Sequence, residues 1–208
     1  MVGNFNRIDD FKAGFEKKCI RLLVEAYNQS ITEKSVKTDW NENDITGQLH
    51  KYIDINPLRA KWLISSNVDH HLPNVLQEKE KGYADKDFRV DLRFVKFQIR
   101  ILSSNKEFTV FFEAKNLKAN DSGLKRRYID TGIGYFISRK YPHQFLIGYL
   151  LEGSVYSTVT EGINILLKKN NRENECLQVK KHEIAPYYFE SYHSGLCLRH
   201  LIFDFTVL

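Results

Sequence analysis

Two apolar segments of the chain carry charged residues at adjoining ends, and this arrangement constrains the fold more than any other feature. Residues 108–115 form a short apolar run that ends in Glu113 and Lys115, and Asp91 lies near the start of the preceding run, residues 88–102. Side chains alternate along a β-strand, so Glu113 and Lys115 are predicted on one face. A polar turn separates the runs, which predicts an antiparallel hairpin. Because the start of one hairpin strand lies beside the end of the next, we expect Asp91 to approach Glu113.

Two carboxylates beside an ammonium group are the minimal apparatus for hydrolysing a phosphodiester. Mg²⁺ prefers oxygen ligands and keeps several waters, so one or two carboxylates and a phosphate oxygen suffice for it. The metal activates a bound water and neutralises charge that grows in the transition state, and a lysine orients that water or stabilises that charge. We therefore expect Asp91 and Glu113 to hold Mg²⁺ or Mn²⁺ and Lys115 to be catalytic. The spacing alone leaves an ordinary ion pair at a strand end as the alternative.

A glutamate on a predicted helix is a further candidate for this site. Glu42 lies three, four and seven positions before Ile45, Thr46 and Leu49, so it shares the inward-facing stripe of that helix. Asp44 lies about 200° round the helix and is predicted to face solvent. An acid on an apolar helix edge is costly unless it is paired or bound to a metal. A first-turn glutamate favoured by the helix dipole is the alternative.

The basic residues of the chain are concentrated just after the predicted hairpin. Residues 115–141 contain seven Lys or Arg and two Asp, so their net charge of +5 equals that of the whole chain. We expect Lys125, Arg126 and Arg127 to contact the phosphates of a nucleic acid. Tyr128 is predicted either to stack on a base or to pack on the sheet. Phosphate contacts confer affinity rather than sequence preference, and a solvated helix face is the alternative for the arginines.

The order of predicted elements indicates an α/β fold with a central mixed β-sheet flanked by helices. Apolar spacing predicts a helix over residues 10–28, and Asp39 is predicted to cap a second helix that is ended or interrupted at Pro57. A loop is expected over 70–86. The remaining predicted elements are helices over residues 124–141 and 154–168, and strands over residues 145–151, 177–184 and 196–205. The 208 residues are interpreted as one domain, with an N-terminal helical elaboration (1–38), a core (39–151) and a C-terminal helix with closing strands (152–208).

The composition of the chain predicts the cellular compartment in which it occurs. The three cysteines form no CxxC pair, which favours a reducing compartment over a disulfide framework. The polar N-terminal residues and the lack of a long apolar run predict no signal peptide and no membrane span, and hence a cytoplasmic protein. Cys197 and His200 have a possible zinc-ligand spacing, but no second pair accompanies them, so a zinc site is not expected.

The combined pattern resembles the PD-(D/E)xK nuclease superfamily, the fold of many restriction and repair endonucleases. In that family an early helix supplies a glutamate, one strand an aspartate and the next strand Glu-x-Lys, and a basic, aromatic helix follows. Glu42, Asp91, Glu113 and Lys115 match these positions. Val90 stands where the name-giving proline would be, and the family's short first strand is not evident in residues 70–86. The resemblance implies a restriction-endonuclease-like fold and a divalent metal held by Asp91, Glu113, Glu42 and the carbonyl of Ala114.

The sequence thus predicts a metal-dependent nuclease acting on nucleic acid, with DNA favoured over RNA by family analogy. Members of the superfamily differ in substrate, so the choice between endonuclease and exonuclease does not transfer. One alternative is a catalytically inactive nuclease-fold module that binds nucleic acid or a protein partner. Another is a structural α/β protein in which Asp91, Glu113 and Lys115 lie far apart. The sequence does not determine the oligomeric state, and it is compatible with a homodimer.

Overall fold

The computed structural model of this chain describes residues 3–72, 88–101, 104–138 and 144–207, and shows a seven-stranded mixed sheet flanked by helices. The helices are α1 (Gly3–Thr32), α2 (Glu42–Ile55), α3 (Pro57–Lys61), α4 (Ser122–Arg127), α5 (Gly134–Ile137) and α6 (Asn164–Lys169). Two π-helical segments, Tyr128–Ile133 and Tyr156–Ile163, lead into α5 and α6, and a short 3₁₀ turn spans Glu173–Glu175. The strands are β1 (Ile64–Leu72), β2 (Phe88–Ile101), β3 (Ser104–Lys118), β4 (Phe145–Glu152), β5 (Gln178–Lys180), β6 (Tyr188–His193) and β7 (Leu196–Asp204).

The strands lie side by side in the order β1-β2-β3-β4-β7-β6-β5. The pairs β1/β2, β2/β3, β5/β6 and β6/β7 are antiparallel, while β3/β4 and β4/β7 are parallel. Parallel neighbours need a crossover connection, which the segment with α4 and α5 provides between β3 and β4. Strand β4 is buried along all but its last residue. A nearly continuous apolar strand is typical of the parallel centre of a sheet that is covered on both faces.

Each face of the sheet supports its own apolar core. Helices α1 and α2 cover one face, where Phe112 and Ala114 of β3 are buried among them. The segment with α4, α5 and α6 covers the other face, where Leu117 of β3 is buried. Because side chains alternate along a strand, Glu113 and Lys115 share the face of Leu117. Glu113 and Lys115 therefore lie under the second helical layer, whereas Glu42 is carried by α2.

The predicted hairpin, the α/β class and the central mixed sheet are confirmed. Leu92 of β2 pairs with Phe112 of β3 in the antiparallel register that the hairpin requires. Helix α1 extends beyond the predicted residues 10–28 at both ends. Among the described residues, no helix combines the length and the apolar character that crossing a lipid bilayer requires.

Several boundaries differ from the predictions. Asn41 rather than Asp39 caps α2, since its side chain accepts a hydrogen bond from the Asp44 backbone N–H at 3.0 Å. The predicted interruption at Pro57 is confirmed, since α2 ends at Ile55 and Pro57 begins a further short helix. The predicted strand 177–184 is reduced to Gln178–Lys180. The predicted helix over 124–141 is interrupted by π-helical geometry, and residues 139–143 lie outside the described part of the chain.

Two strands were not predicted, because their buried faces carry polar side chains. Strand β1 occupies Ile64–Leu72, overlapping the predicted loop over 70–86, of which residues 73–86 lie outside the described chain. Its inward-facing Ser66 is buried beside Ile64. In β6, the buried residues include Ser191 and His193. Apolar alternation is the main sequence signal for a strand, so polar residues at inward positions conceal it.

Substitution of Gly148 in β4 tests the packing between the sheet and the second helical layer. A Cβ atom at Gly148 would lie 2.6 Å from Leu117 Cδ1 and 2.7 Å from Ile202 Cδ1. Both neighbours are buried, so we expect Gly148→Ala to lower the free energy of unfolding by about 1–3 kcal/mol through overpacking. Urea denaturation would measure it. Gly47→Ala is the control, because no described atom outside its chain neighbours and its own helix backbone lies within 4 Å of the new Cβ atom. In helix α2 that change should stabilise by up to about 1 kcal/mol, and equal effects of both substitutions would contradict the packing described.

Candidate active site

The candidate site lies where β2 and β3 separate at the end of their pairing. Leu92 pairs with Phe112, and continuing this register by one residue places Asp91 beside Glu113 on the same face. Asp91 Oδ2 accepts a hydrogen bond from the backbone N–H of Ala114 at 2.6 Å. The Asp91 carboxylate is therefore anchored to the backbone of Ala114, the residue between Glu113 and Lys115.

Lys115 and Glu113 form a buried ion pair at this strand end. Lys115 Nζ lies 2.5 Å from Glu113 Oε1 and donates a second hydrogen bond, at 2.7 Å, to the carbonyl oxygen of Ala114. Glu113 is only 4% exposed and Lys115 only 6%. The second carboxylate oxygen of Glu113, Oε2, is buried and accepts no hydrogen bond from the described residues. A buried acceptor without a partner is costly, so this oxygen marks a position where a donor or a cation would be stabilising.

Burial and like charge shift the protonation of Glu113. Burial, and then the nearby Asp91 carboxylate, raise the pKa of Glu113 to about 8, although the Lys115 ammonium opposes the shift. Burial acts to lower the pKa of Lys115, but the Glu113 and Asp91 carboxylates outweigh it and the pKa of Lys115 is raised. Lys115 is therefore an ammonium at neutral pH, while Glu113 retains a proton more readily than an exposed glutamate does. A cation beside Oε2 would displace that proton.

Glu42 reaches the same strand end from the first residue of α2. Its Oε1 accepts from the backbone N–H of Asn116 at 3.0 Å, and its Oε2 accepts from Arg127 at 2.9 Å. The Asn116 side chain donates in turn to the carbonyl oxygen of Trp40, just before α2. Glu42 also contributes to the raised pKa of Glu113, so it belongs to the same charge cluster. Asp44 is exposed, as predicted.

The structure thus brings Asp91, Glu113, Ala114 and Lys115 together. Glu42, on α2, contacts the next residue of the strand, Asn116. This convergence contradicts the alternative in which Asp91, Glu113 and Lys115 lie far apart. Within the described ranges, no three His, Cys, Asp or Glu side chains are grouped so as to hold a metal ion. A cation bound here would have to combine the carboxylates of Asp91 and Glu113 with backbone oxygen and water, a set that suits Mg²⁺ or Mn²⁺ rather than Zn²⁺.

The predicted phosphate-binding residues divide between the surface and the core. Arg126 and Arg127 are exposed. Lys125 is buried, and its Nζ donates to the carbonyl oxygen of Ala119, so the prediction that it contacts phosphates is wrong. The prediction that Tyr128 stacks on a base is also wrong, because its ring is 0% exposed. Its packing on the sheet, the other interpretation of this residue, is what the structure shows.

A buried row of polar side chains beneath this helical segment was missed by sequence reasoning. The Tyr128 hydroxyl contacts His200 Nδ1 at 2.8 Å, and the Ser191 hydroxyl lies 2.7 Å from His200 Nε2 and 2.6 Å from His193 Nε2. His193 Nδ1 lies 2.5 Å from Glu175 Oε2. Burial lowers the pKa of His193, which favours its neutral form. The Ser-x-His spacing on alternate strand positions is the only sequence signal for this row.

The chain was compared with protein-family models, with curated proteins and with solved structures. No match was found in any of the three. The interpretation of the site therefore depends on its residues and their geometry.

The raised pKa of Glu113 predicts a specific dependence of stability on pH. Between about pH 5 and pH 8 the folded protein holds a proton on Glu113 that the unfolded chain releases. The free energy of unfolding should therefore fall as pH rises through this window, by up to about 1.4 kcal/mol per pH unit. The side chain of the Glu113→Gln variant does not titrate, so the variant lacks this contribution to the pH dependence.

The measurement is the difference in free energy of unfolding between the wild type and Glu113→Gln, from urea denaturation at several pH values without divalent cations. The wild type should lose stability relative to the variant as pH rises. A difference that does not change between pH 5 and pH 8 would show that Glu113 titrates normally. Adding Mn²⁺ should flatten the dependence if the cation replaces the proton.

Proposed function

We propose that the protein is a metal-dependent nuclease of the PD-(D/E)xK type that hydrolyses phosphodiester bonds, with DNA as the favoured substrate. The observation that carries the proposal is the buried Glu113 carboxylate, which lies in a cluster with Asp91 and Lys115 and whose Oε2 has no hydrogen-bond partner among the described residues. Buried acids with strongly shifted pKa values are concentrated at functional sites, because their cost to stability needs compensation by function. Residues 39–151 are the catalytic core in this proposal, and the three unpaired thiols suit the cytoplasm.

The order of elements supports a restriction-endonuclease-like fold. Helix α2 carries Glu42, β2 carries Asp91 and β3 carries Glu113 and Lys115, and a basic helical segment follows. Strand β1, which lies between α2 and β2, fills the place of the family's short first strand. Beyond Phe112 the strand β3 continues along β4, and both α2 and α4 contact β3.

The residues present fit a single divalent cation. Asp91, Glu113 and the carbonyl oxygen of Ala114 would hold it. Glu42 would assist from the start of α2, where it contacts Asn116. When bound, such a cation lowers the pKa of a water molecule and neutralises charge on the phosphoryl group. The orphaned Oε2 of Glu113 is the structural feature that such a cation would satisfy.

The side chains of the chain itself supply positioning and charge. Lys115 is held by Glu113 Oε1 and the Ala114 carbonyl, so its ammonium group is fixed beside the two carboxylates. From this position it donates a hydrogen bond to the attacking water or to a phosphoryl oxygen, where charge grows in the transition state. The exposed Arg126 and Arg127 bind the phosphates that flank the scissile bond.

A second candidate function is that of an inactive module with the same fold, which binds nucleic acid or a protein. The observation that favours it is that Lys115 already contacts Glu113 Oε1 and the Ala114 carbonyl, two of the predicted metal ligands. Calorimetric titration with Mn²⁺ separates the two functions. Binding that is lost in Asp91→Ala supports the nuclease, and the absence of binding in the wild type supports the inactive module.

Substitution of Lys115 tests the catalytic proposal. We expect Lys115→Ala to retain its affinity for DNA and to abolish Mn²⁺-dependent cleavage, because the phosphate-binding arginines remain while the buried ammonium group is lost. Closed circular DNA, linear DNA and RNA are incubated with the protein, with and without Mn²⁺, and nicking of the circle would indicate an endonuclease.

Lys180→Ala is the matched control for this experiment. Lys180 is exposed on β5, at the edge of the sheet four strands from β3, so its loss should leave cleavage unchanged. Glu113→Ala should be as inactive as Lys115→Ala. Full cleavage by Lys115→Ala would refute the catalytic role of the lysine, and cleavage of none of the substrates by the wild type would refute the proposed function.

A further inference from the structure

The ion pair between Glu42 and Arg127 joins a mostly buried acid to a mostly exposed base. The Glu42 side chain is 13% exposed and that of Arg127 is 54% exposed. Glu42 Oε1 is fixed by the backbone N–H of Asn116, whereas Oε2 is held by the Arg127 guanidinium. Removing the guanidinium would therefore leave a largely buried carboxylate with a backbone contact but without its counter-charge, which is unfavourable unless another cation replaces it.

Arg127 is the member of this ion pair that a bound substrate would displace from Glu42. It lies with Glu42, Asn43 and Asn116 around a cavity between the start of α2 and α4 that opens to solvent. The Arg127 side chain is 54% exposed, so an anion that enters the cavity from solvent can reach its guanidinium. A nucleic-acid phosphate is a strong competitor, because it carries full charge and accepts two parallel hydrogen bonds from a guanidinium.

A second observation concerns Asn116, which follows Lys115 directly and lines the cavity beside Glu42. Its amide group donates to Trp40, whereas its side-chain oxygen, Oδ1, is buried and accepts no hydrogen bond from any described residue. Two buried oxygens within residues 113–116 of β3, Glu113 Oε2 and Asn116 Oδ1, thus have no partner in the described part of the chain.

Glu42 also acts on the electrostatics of the predicted metal ligands. Its charge contributes to the raised pKa values of both Glu113 and Lys115. While Arg127 is paired with Glu42, the guanidinium offsets that charge. Once Arg127 has turned to a phosphate, the cluster of Glu42, Asp91 and Glu113 carries more uncompensated negative charge and attracts a divalent cation more strongly.

We propose that Arg127 makes cation binding depend on substrate: a phosphate of the nucleic acid draws its guanidinium from Glu42, and the released carboxylate strengthens the hold of the site on a divalent cation. This inference rests on the proposed function, since it needs a cation at Asp91 and Glu113. Arg127 is thus a positioning residue that acts through Glu42. Linkage requires the reverse effect as well, so the cation strengthens the binding of nucleic acid by the same factor.

The test measures Mn²⁺ affinity by calorimetry, with the amount of free Mn²⁺ checked by electron paramagnetic resonance. The probe is a short DNA duplex with phosphorothioate linkages, which resist hydrolysis. For the wild type we expect Mn²⁺ to bind at least about fivefold more tightly when the duplex is saturating. For Arg127→Ala without DNA, Mn²⁺ should already bind several-fold more tightly than to the wild type, and the added effect of DNA should be smaller.

Matched variants separate this inference from a general effect of charge. Lys180→Ala removes an exposed cation on β5, four strands from β3, so its Mn²⁺ affinity without DNA should stay at the wild-type level. In a double-mutant cycle, Glu42→Gln should abolish the gain produced by Arg127→Ala. Thermal unfolding of each variant verifies that it is folded.

The outcomes distinguish this inference from the proposed function. Equal Mn²⁺ affinities for Arg127→Ala, Lys180→Ala and the wild type would overturn the inference, even if the wild type cleaves DNA. A gain in Arg127→Ala that persists with Glu42→Gln would also overturn it. The absence of Mn²⁺ binding in every variant would overturn both proposals. Coupling that needs Arg127 and Glu42 would support the inference even in a protein that cleaves none of the substrates tested.

Discussion

The buried contact between Glu113 and Lys115 is the interaction on which the candidate site depends. Two ionisable groups removed from water on one strand are costly, and the raised pKa of Glu113 means that the attraction of Lys115 offsets this cost only in part. The backbone of Ala114 adds further hydrogen bonds, because its N–H donates to Asp91 and its carbonyl accepts from Lys115. One backbone residue thereby fixes Asp91 and Lys115 directly, and Glu113 through Lys115.

The end of β3 also links the two helical layers. Helix α2 packs with the first apolar core and the segment after α4 packs with the second, on opposite faces of the sheet. The contacts of Glu42 with Asn116 and Arg127 cross from one layer to the other over the strand end. A displacement of α2 or of the segment after α4 would therefore change the surroundings of Glu113. The geometry of the site thus depends on the packing of both layers.

Strand alternation and helix periodicity predicted the contacts that depend on local geometry. They placed Glu113 beside Lys115, Asp91 on the neighbouring strand and Glu42 on the inner edge of α2. They failed where the geometry was irregular or the buried residues were polar. The π-helical segment Tyr128–Ile133 departs from the ordinary 3.6-residue period, so a helical projection does not predict which residues of the basic segment face the sheet. Ser191 and His193 are inward-facing polar residues whose burial becomes evident only when their hydrogen-bond partners are known.

The row of buried groups from Tyr128 to Glu175 has a fixed direction. Glu175 is a carboxylate that only accepts, so neutral His193 donates to it from Nδ1 and must accept at Nε2 from the single hydrogen of Ser191. The Ser191 oxygen then receives Nε2–H of His200, whose Nδ1, with the ring neutral, receives the Tyr128 hydroxyl hydrogen. The two imidazoles consequently exist as opposite tautomers, and every hydrogen in the row points towards Glu175, so reversing any one of them would require reversing the others.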